Sequence, residues 1–549
     1  MAWHYGKLLR MTESLVPGER IAVHEFDTGR RVSRADFNRH VRNFARYLQD
    51  LGVERGTTVA ICSRNCAEYL EVVVALFQTG LIHANVNFRY VADELYAIIA
   101  NSDAEVVVFS SEFAGNFEEL RDRLSSVKHY IEITGGEEPR LEGAHAYHLS
   151  ASVDADRDPV YSEDPGDLFM MYTGGTTGLP KGVVWTQENI FRMAGNNYLV
   201  ENGPRLPEDE EEYRNWVLGS PEVGYLVNAP FMHGLGLYLS LGGLAYGLTV
   251  VTNTAGFSAE RALDAVSETG VAIVNVAGDA MAKPIYETLA AEPDRWDVSS
   301  VRVINSSSAV FNAPIKKGLI KLIPQLTIVD ILGGSESSML GISIVNADNL
   351  ESLDEEAGLK LALGETVKVF DDDFKEVKIG KGILALSGLM ANGYYKDPEK
   401  TAKTFPVIDG TRYCLLGDFV EVLEDGSIKF LGRGSVCINS GGEKIFPEEV
   451  EQAVKLHPSV CDCAIVGVPD DRWGEVVAAV VQLESGMQLD SDALLTFLRP
   501  KLASYKLPRL VIEKDDIGRG ANGKLDYKAC KAYAAKYSRK EQGEAGKPE

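Results

Sequence analysis

Short apolar runs rich in β-branched residues recur along this chain, separated by amphipathic helical stretches, and that alternation restricts the fold more than any other feature. The runs are Thr58-Val-Ala-Ile-Cys62, Ala104-Glu-Val-Val-Val-Phe109, Leu248-Thr-Val-Val251, Val271-Ala-Ile-Val274, Val301-Arg-Val-Ile304 and Leu326-Thr-Ile-Val-Asp330. Strands without a polar face need cover on both sides, so the pattern predicts an α/β fold of parallel-rich β-sheets covered by helices. A chain of 549 residues is long enough for more than one domain. After about residue 365 short strands and tight turns take over, as in Asp371-Asp-Asp-Phe374 and Glu424-Asp-Gly-Ser427, and a β subdomain is expected there. Beyond Gly432 a compact α+β stretch follows, and the charged segment from Lys536 to Glu549 reads as a flexible tail.

Charge and cysteine usage narrow the function. A net charge of −25 opposes approach to a nucleic-acid backbone or an anionic membrane surface, so neither is expected as a partner. The seven cysteines are scattered without paired Cys-x-x-Cys units and read as reduced thiols of a cytoplasmic protein; Cys461-Asp-Cys463 supplies only two ligands for a metal. Met1-Ala-Trp-His-Tyr-Gly-Lys7 lacks the pattern of a secretory signal. The uncharged stretch Phe231 to Thr252 contains His233 and many glycines, which favours a buried helix followed by a buried strand over a membrane span. The acidic run Glu208-Asp-Glu-Glu-Glu212 reads as a solvated loop or helix start.

The chemistry is concentrated in Tyr172-Thr-Gly-Gly-Thr-Thr-Gly-Leu-Pro-Lys-Gly182, a loop between the strand-like Leu168-Phe-Met-Met171 and Val183-Val-Trp185. Gly174, Gly175 and Gly178 permit backbone angles that turn successive amides inward, Thr173, Thr176 and Thr177 add hydroxyls, and Lys181 adds a positive charge, a combination suited to a nucleotide's phosphates. Lys181 follows proline, unlike the lysine of the usual nucleoside-triphosphatase P-loop. Gly518-Arg-Gly-Ala-Asn-Gly-Lys524 has that loop's spacing, but Leu525 stands where a magnesium-binding hydroxyl is required.

Nearly the whole chain resembles the ANL superfamily of acyl-CoA synthetases, nonribosomal adenylation domains and luciferases. It looks closest to bacterial fatty-acid and steroid acyl-CoA ligases through Leu431-Gly-Arg-Gly-Ser-Val-Cys-Ile-Asn-Ser-Gly-Gly-Glu-Lys-Ile-Phe-Pro-Glu-Glu-Val-Glu451. The resemblance implies an adenylate-forming N-terminal domain over 1–432, a hinge at 433–436 that includes Ser435, a small mobile α+β domain over 437–535 and a tail over 536–549. It implies ATP, Mg2+ and coenzyme A, with a carboxylic acid as the other substrate. Glu336 in Leu332-Gly-Gly-Ser-Glu336 would hold magnesium together with Thr177, and hard oxygen ligands suit that cation. Ser308, Leu332, Gly333 and Ser335 would border the adenine, Asp418 the ribose hydroxyls and Arg433 the nucleotide oxygens. Lys524 would offset the repulsion between carboxylate and α-phosphate. Gly441 and Gly442 would line the pantetheine path after a rotation of the small domain, and His233 would stand between acyl pocket and that path.

Two departures from the family fall on one ligand: Leu332 replaces an aromatic ring that stacks on adenine, and Asn305-Ser-Ser-Ser-Ala309 replaces a Gly-Gly-Ala turn. They leave open an enzyme that mainly forms thioesters from a supplied adenylate. Loading of a carrier protein and silent ligand binding also stay open, as does assembly into a homodimer. Small residues in Ala277-Gly-Asp-Ala280, with Gly234 and Gly236, suggest room for a bulky or long acyl group, lined by Phe231, Met232, Leu235 and Leu237.

Overall fold

The computed structural model describes residues 3–152, 157–173, 180–196, 205–337, 339–353, 360–363, 366–440, 443–470, 474–502, 504–520 and 523–544. Its described strands form three sheets of fifteen, eight and five strands. In the first, the parallel strands Ile21–Glu25, Thr249–Thr252, Gly224–Val227, Ile273–Val276, Val303–Ser306 and Thr327–Gly333 lie side by side in that order. Antiparallel strands then extend the sheet through Met339–Val345 and Lys360–Leu363 into the β-rich region ending at Ile428–Arg433. The second sheet is centred on Thr58–Cys62 and carries the antiparallel pair Leu168–Thr173 and Lys181–Thr186.

The helix Ala67–Thr79 fills the layer between these sheets, and every one of its residues is buried. Its run of Leu, Val and Ala packs with Val23 and Val227 of one sheet and with Val59 and Ile61 of the other in a single core. A helix that is apolar all round belongs in such a layer. Of its two buried carboxylates, Glu68 and Glu71, the fully enclosed Glu71 bonds the His40 imidazole at 2.9 Å and the Tyr147 hydroxyl at 2.8 Å. The third sheet, built on Val460–Asp470 and Gly474–Leu483, has its own cores and forms the small C-terminal domain.

The expected helix and strand between Phe231 and Thr252 are Gly234–Ala245 and Thr249–Thr252. Strands expected from Val271 and Val301 begin two residues later, at Ile273 and Val303, because the preceding residues close turns onto the neighbouring strands. Helix Tyr527–Glu544 is seated against the third sheet by Cys530 and Ala534 and continues into the segment expected as a tail from Lys536; residues 545–549 lie outside the described residues. Among the described residues no helix is long and apolar enough to cross a membrane.

At the carboxyl end of the parallel strands, Asp330 accepts a 2.8 Å ion-pair hydrogen bond from Lys316, and only 3% and 2% of these residues is exposed. Removing one partner strands the other charge in the core. Asp330→Ala is therefore expected to lower unfolding free energy by about 3–5 kcal/mol in urea titration, and Asp330→Ala with Lys316→Met to recover most of that loss.

Candidate active site

One cleft of about 2150 Å³ opens at the carboxyl ends of the parallel strands and reaches the small domain. Ligands of doubly wound sheets bind at this edge, and the volume exceeds the roughly 300–1,000 Å³ of a single-ligand pocket. Its walls include Thr173, His233, Ser308, Leu332, Gly333, Ser335, Glu336, Asp418 and Lys524, so residues far apart in the chain meet here. The interior of the glycine-rich loop, Gly174, Gly175, Thr176, Thr177 and Gly178, lies outside the described residues, as do Gly441 and Gly442. Their flanks are placed. Thr173 and Lys181 are register partners at the mouth of a hairpin, and Ile438–Ser440 and Glu443–Ile445 pair antiparallel on either side of the two glycines.

Asn85, which the sequence offered no signal to find, ties the phosphate-loop hairpin to the His233 segment. Its side chain accepts from the Tyr172 amide at 2.5 Å and donates to the Tyr172 carbonyl at 2.9 Å and the Met232 carbonyl at 2.7 Å. The next residue, His233, precedes the helix Gly234–Ala245. Burial, followed by the positive charges of Lys524 and Arg89, holds its imidazole at about pKa 4. Lys524 thus exerts its charge inside the cleft although its backbone belongs to the small domain.

The loop carrying Lys524 is built locally. Gly520 donates to the Lys524 carbonyl and Gly523 to the Gly520 carbonyl, both at 2.8 Å. Arg519 donates to the Gly523 carbonyl at 3.0 Å and to both oxygens of Asp462 at 2.5 and 3.0 Å. Burial disfavours the Asp462 carboxylate, but hydrogen bonding from Arg519 and the charge of Lys455 bring it to about pKa 2. Gly523, with φ +71°, lies so close to the large domain that an added Cβ would stand 3.1 Å from the Ala277 carbonyl oxygen and 3.3 Å from the Ala309 Cβ. Lys283, on the large domain, adds a 2.6 Å bond to Glu484 on the small one.

Glu336 follows a strand that continues to Gly333, three residues beyond the expected end at Asp330. The Tyr394 hydroxyl donates to one Glu336 oxygen at 2.8 Å, and the residue remains half-buried. An acceptor-only carboxylate facing the cleft suits a hard divalent cation that keeps other oxygens from water and phosphate. The described residues contain no group of three or more His, Cys, Asp or Glu side chains placed to hold a metal. Asp418, only 1% exposed, is the cross-strand partner of Arg433. Trp185 donates to the Ser335 carbonyl at 2.8 Å, which joins the hairpin after the phosphate loop to the segment holding Glu336. Ser308 adopts φ +74°, a left-handed conformation that costs a residue with a Cβ about 1–2 kcal/mol. Serine therefore takes a glycine's backbone here and adds its side chain to the pocket.

Room for the acyl group does not come from the expected glycines. An added Cβ at Gly236 would stand 2.4 Å from the Pro230 carbonyl oxygen, at Gly278 2.4 Å from that of Val310, and at Gly234 2.8 Å from the Tyr238 ring. These positions are small because backbone or ring already fills the space. Phe231, Met232 and Leu237 are core residues of no more than 1% exposure and do not line the cleft, whereas Leu235 does.

A two-sheet α/β body and a small docked domain that share a cleft with a phosphate-loop hairpin define a nucleotide-dependent enzyme of the adenylate-forming kind. The sequence matches the AMP-binding enzyme family over residues 13–395 and the AMP-binding enzyme C-terminal domain over 449–524. The chain belongs to the AMP-binding enzyme family. It is 35% identical over 540 residues to the 3-oxocholest-4-en-26-oate–CoA ligase of Rhodococcus rhodochrous, covering 97% of this chain and 96% of the relative. It is also 35% identical over 520 residues to the medium/long-chain-fatty-acid–CoA/3-oxocholest-4-en-26-oate–CoA ligase of Mycobacterium tuberculosis H37Rv, covering 93% of each. The anthranilate CoA ligase AuaEII, solved with anthranoyl-AMP, superposes with a TM-score of 0.81 over 98% of both chains at 20% identity, a likeness of fold.

Lys181 is engaged by Asp397, whose carboxyl is lowered chiefly by this contact and then by the Lys400 amide. The same aspartate caps the helix Pro398–Thr404, a task asparagine performs equally well. Asp397→Asn is expected to keep the cap, release Lys181 and lower KM for ATP by up to about 5-fold, as measured by initial rates. His83, fully buried, is likewise held at about pKa 4 by burial. Because both imidazoles are shifted downward, 15N signals of His83 and His233 should remain those of neutral rings at a pH of about 5.5, where a free imidazole is mostly protonated.

Proposed function

We propose that this enzyme is an ATP-dependent acid–CoA ligase that forms an acyl-adenylate and then an acyl-CoA thioester. The observation that carries the reading is the close approach of Gly523 to the large domain, which brings Lys524 into the same cleft as His233, Ser308, Glu336 and Asp418. In the first step a carboxylate oxygen attacks the α-phosphorus of ATP while the bond to pyrophosphate breaks. Two anions must approach, and the Lys524 ammonium offsets their repulsion. Asp418 accepts from the ribose hydroxyls, Arg433 binds nucleotide oxygens, and Leu332, Gly333, Ser335 and Ser308 enclose the base. Thr173, Lys181 and the loop residues Gly174, Gly175, Thr176, Thr177 and Gly178 cradle the β- and γ-phosphates. Glu336 and Thr177 would supply oxygen ligands to magnesium, whose charge would offset that of the phosphates.

In the second step the sulfur of coenzyme A attacks the acyl carbon, the bond to AMP breaks and the thiol proton is lost. A swivel at 433–436 would withdraw Lys524 and carry Gly441 and Gly442 of the 437–535 unit toward the thiol path, leaving 1–432 as the fixed body. The neutral His233 between acyl space and thiol path adds no charge to compete with Lys524. The acid is bulky or long and apolar. Leu235, Tyr238, Leu239, Ile331 and Met339 on the cleft wall favour it, as do the fatty and steroid acids in the names of the relatives. Seven cysteines outside any disulfide and the strongly negative net charge favour the cytoplasm as its compartment.

Lys524→Ala should reduce acid-dependent ATP–pyrophosphate exchange by about 100-fold or more while leaving CoA transfer from a synthetic acyl-adenylate much less affected. Equal loss in both assays would remove Lys524 from the adenylation step. Exchange unchanged by the substitution would do the same.

A further inference from the structure

The wall of the cleft nearest the sheet contains a polar group with an unmet requirement. Asn305 lies in the strand Val303–Ser306, is 1% exposed and lines the cleft. Neither its Nδ2 nor its Oδ1 has a hydrogen-bond partner among the described residues. Its register neighbours are Asn275 and Val329, and Val303, Val329 and Asn305 share the face turned toward the core between the two sheets. The Tyr238 hydroxyl, on the helix that covers this face, is also buried without a partner among the described residues, and its residue lines the same cleft. Leu235, Leu239, Ile331 and Met339 make the rest of this part of the wall apolar.

A purely hydrocarbon acyl group would leave three polar atoms desolvated and unsatisfied, and each such group costs about 1–3 kcal/mol. The Asn305 amide offers N–H donors at Nδ2 and an acceptor at Oδ1; a hydroxyl can engage both atoms, accepting from one and donating to the other, whereas an oxo group can only accept from Nδ2. Asn305 is three residues from Ser308, at most about 10 Å along an extended strand, so it stands toward the nucleotide end of the cleft, where the acid's carboxylate must meet the α-phosphate.

Resting on the ligase reading above, we propose that the acyl space selects an apolar acid carrying a hydroxyl or oxo group near its carboxyl end, bound by Asn305 with Tyr238 beside it. Asn305 is then a specificity-determining residue rather than a structural one. Pockets built to hydrogen-bond a substrate oxygen discriminate strongly against analogues that lack it.

The test uses the full-length protein with ATP, Mg2+ and CoA, and reads acid-dependent AMP release. The acids are dodecanoate and its hydroxy and oxo derivatives substituted near the carboxyl end, in mid-chain and at the far end. At least one proximally substituted acid should exceed dodecanoate in kcat/KM by about 10-fold or more, and the far-end derivatives should not. Asn305→Leu should collapse that ratio to within about 2-fold, and Asn305→Ala serves the same purpose if the leucine variant is unstable. Hydroxy and oxo arms separate the two oxygen chemistries. An active enzyme that prefers dodecanoate, or a preference untouched by both substitutions, overturns this inference alone. No AMP release with any acid overturns the ligase reading and this inference together.

Discussion

The cleft depends on one close backbone approach between two domains, at Gly523. A side chain there would stand 3.1 Å from both the Ala277 carbonyl oxygen and the Ala280 Cβ. Because glycine leaves that space empty, the loop can lie on the large domain, and the next residue, Lys524, acts electrostatically on His233. The contact is reinforced on both sides. Arg519 grips the Gly523 carbonyl and is itself held by Asp462, and Lys283 bridges to Glu484. A lysine delivered by a detachable loop can stabilise one reaction step and then leave, which a lysine rooted in the large domain could not do.

Much of this was legible in the sequence because its signals are local. Strands such as Thr58–Cys62 and Ala104–Ser110 follow from β-branched composition, and the helix and strand after Phe231 follow from an uncharged run interrupted by glycines. The loop flanks, Glu336, Asp418 and Lys524 could be located by short motifs. What escaped depends on tertiary neighbours. Nothing near Asn85 in the chain indicates that its amide will bond Tyr172 and Met232, residues 87 and 147 positions away. Glycines near His233 looked like room for a substrate, but a glycine also marks a place where another backbone is already close, as at Gly236 and Gly278. The residues that seat the last helix, Cys530 and Ala534, precede the charged segment from Lys536 and show no apolar run that would mark them from the sequence.

The adenine side of the cleft carries the departures from the family pattern. Leu332 offers an aliphatic surface in place of a ring, and Ser308 keeps a left-handed backbone at an energetic cost. Both are compatible with a nucleotide held mainly through its phosphates and ribose, by groups on the hairpin, at Asp418 and at Arg433. The acyl side shows the opposite tendency: an apolar wall is broken by polar atoms that have no partner among the described residues. On the proposed reading, selectivity is concentrated on the acid, and ATP binding rests on charge and hydrogen bonding.

The central claim is that the acid's own oxygen attacks ATP, and isotope transfer reads that event directly. With an acid labelled by 18O in both carboxylate oxygens, ATP and CoA, mass spectrometry of the products should find one labelled oxygen in AMP and one in the thioester carbonyl. Label in inorganic phosphate or pyrophosphate, or AMP without label while acyl-CoA forms, would contradict the account.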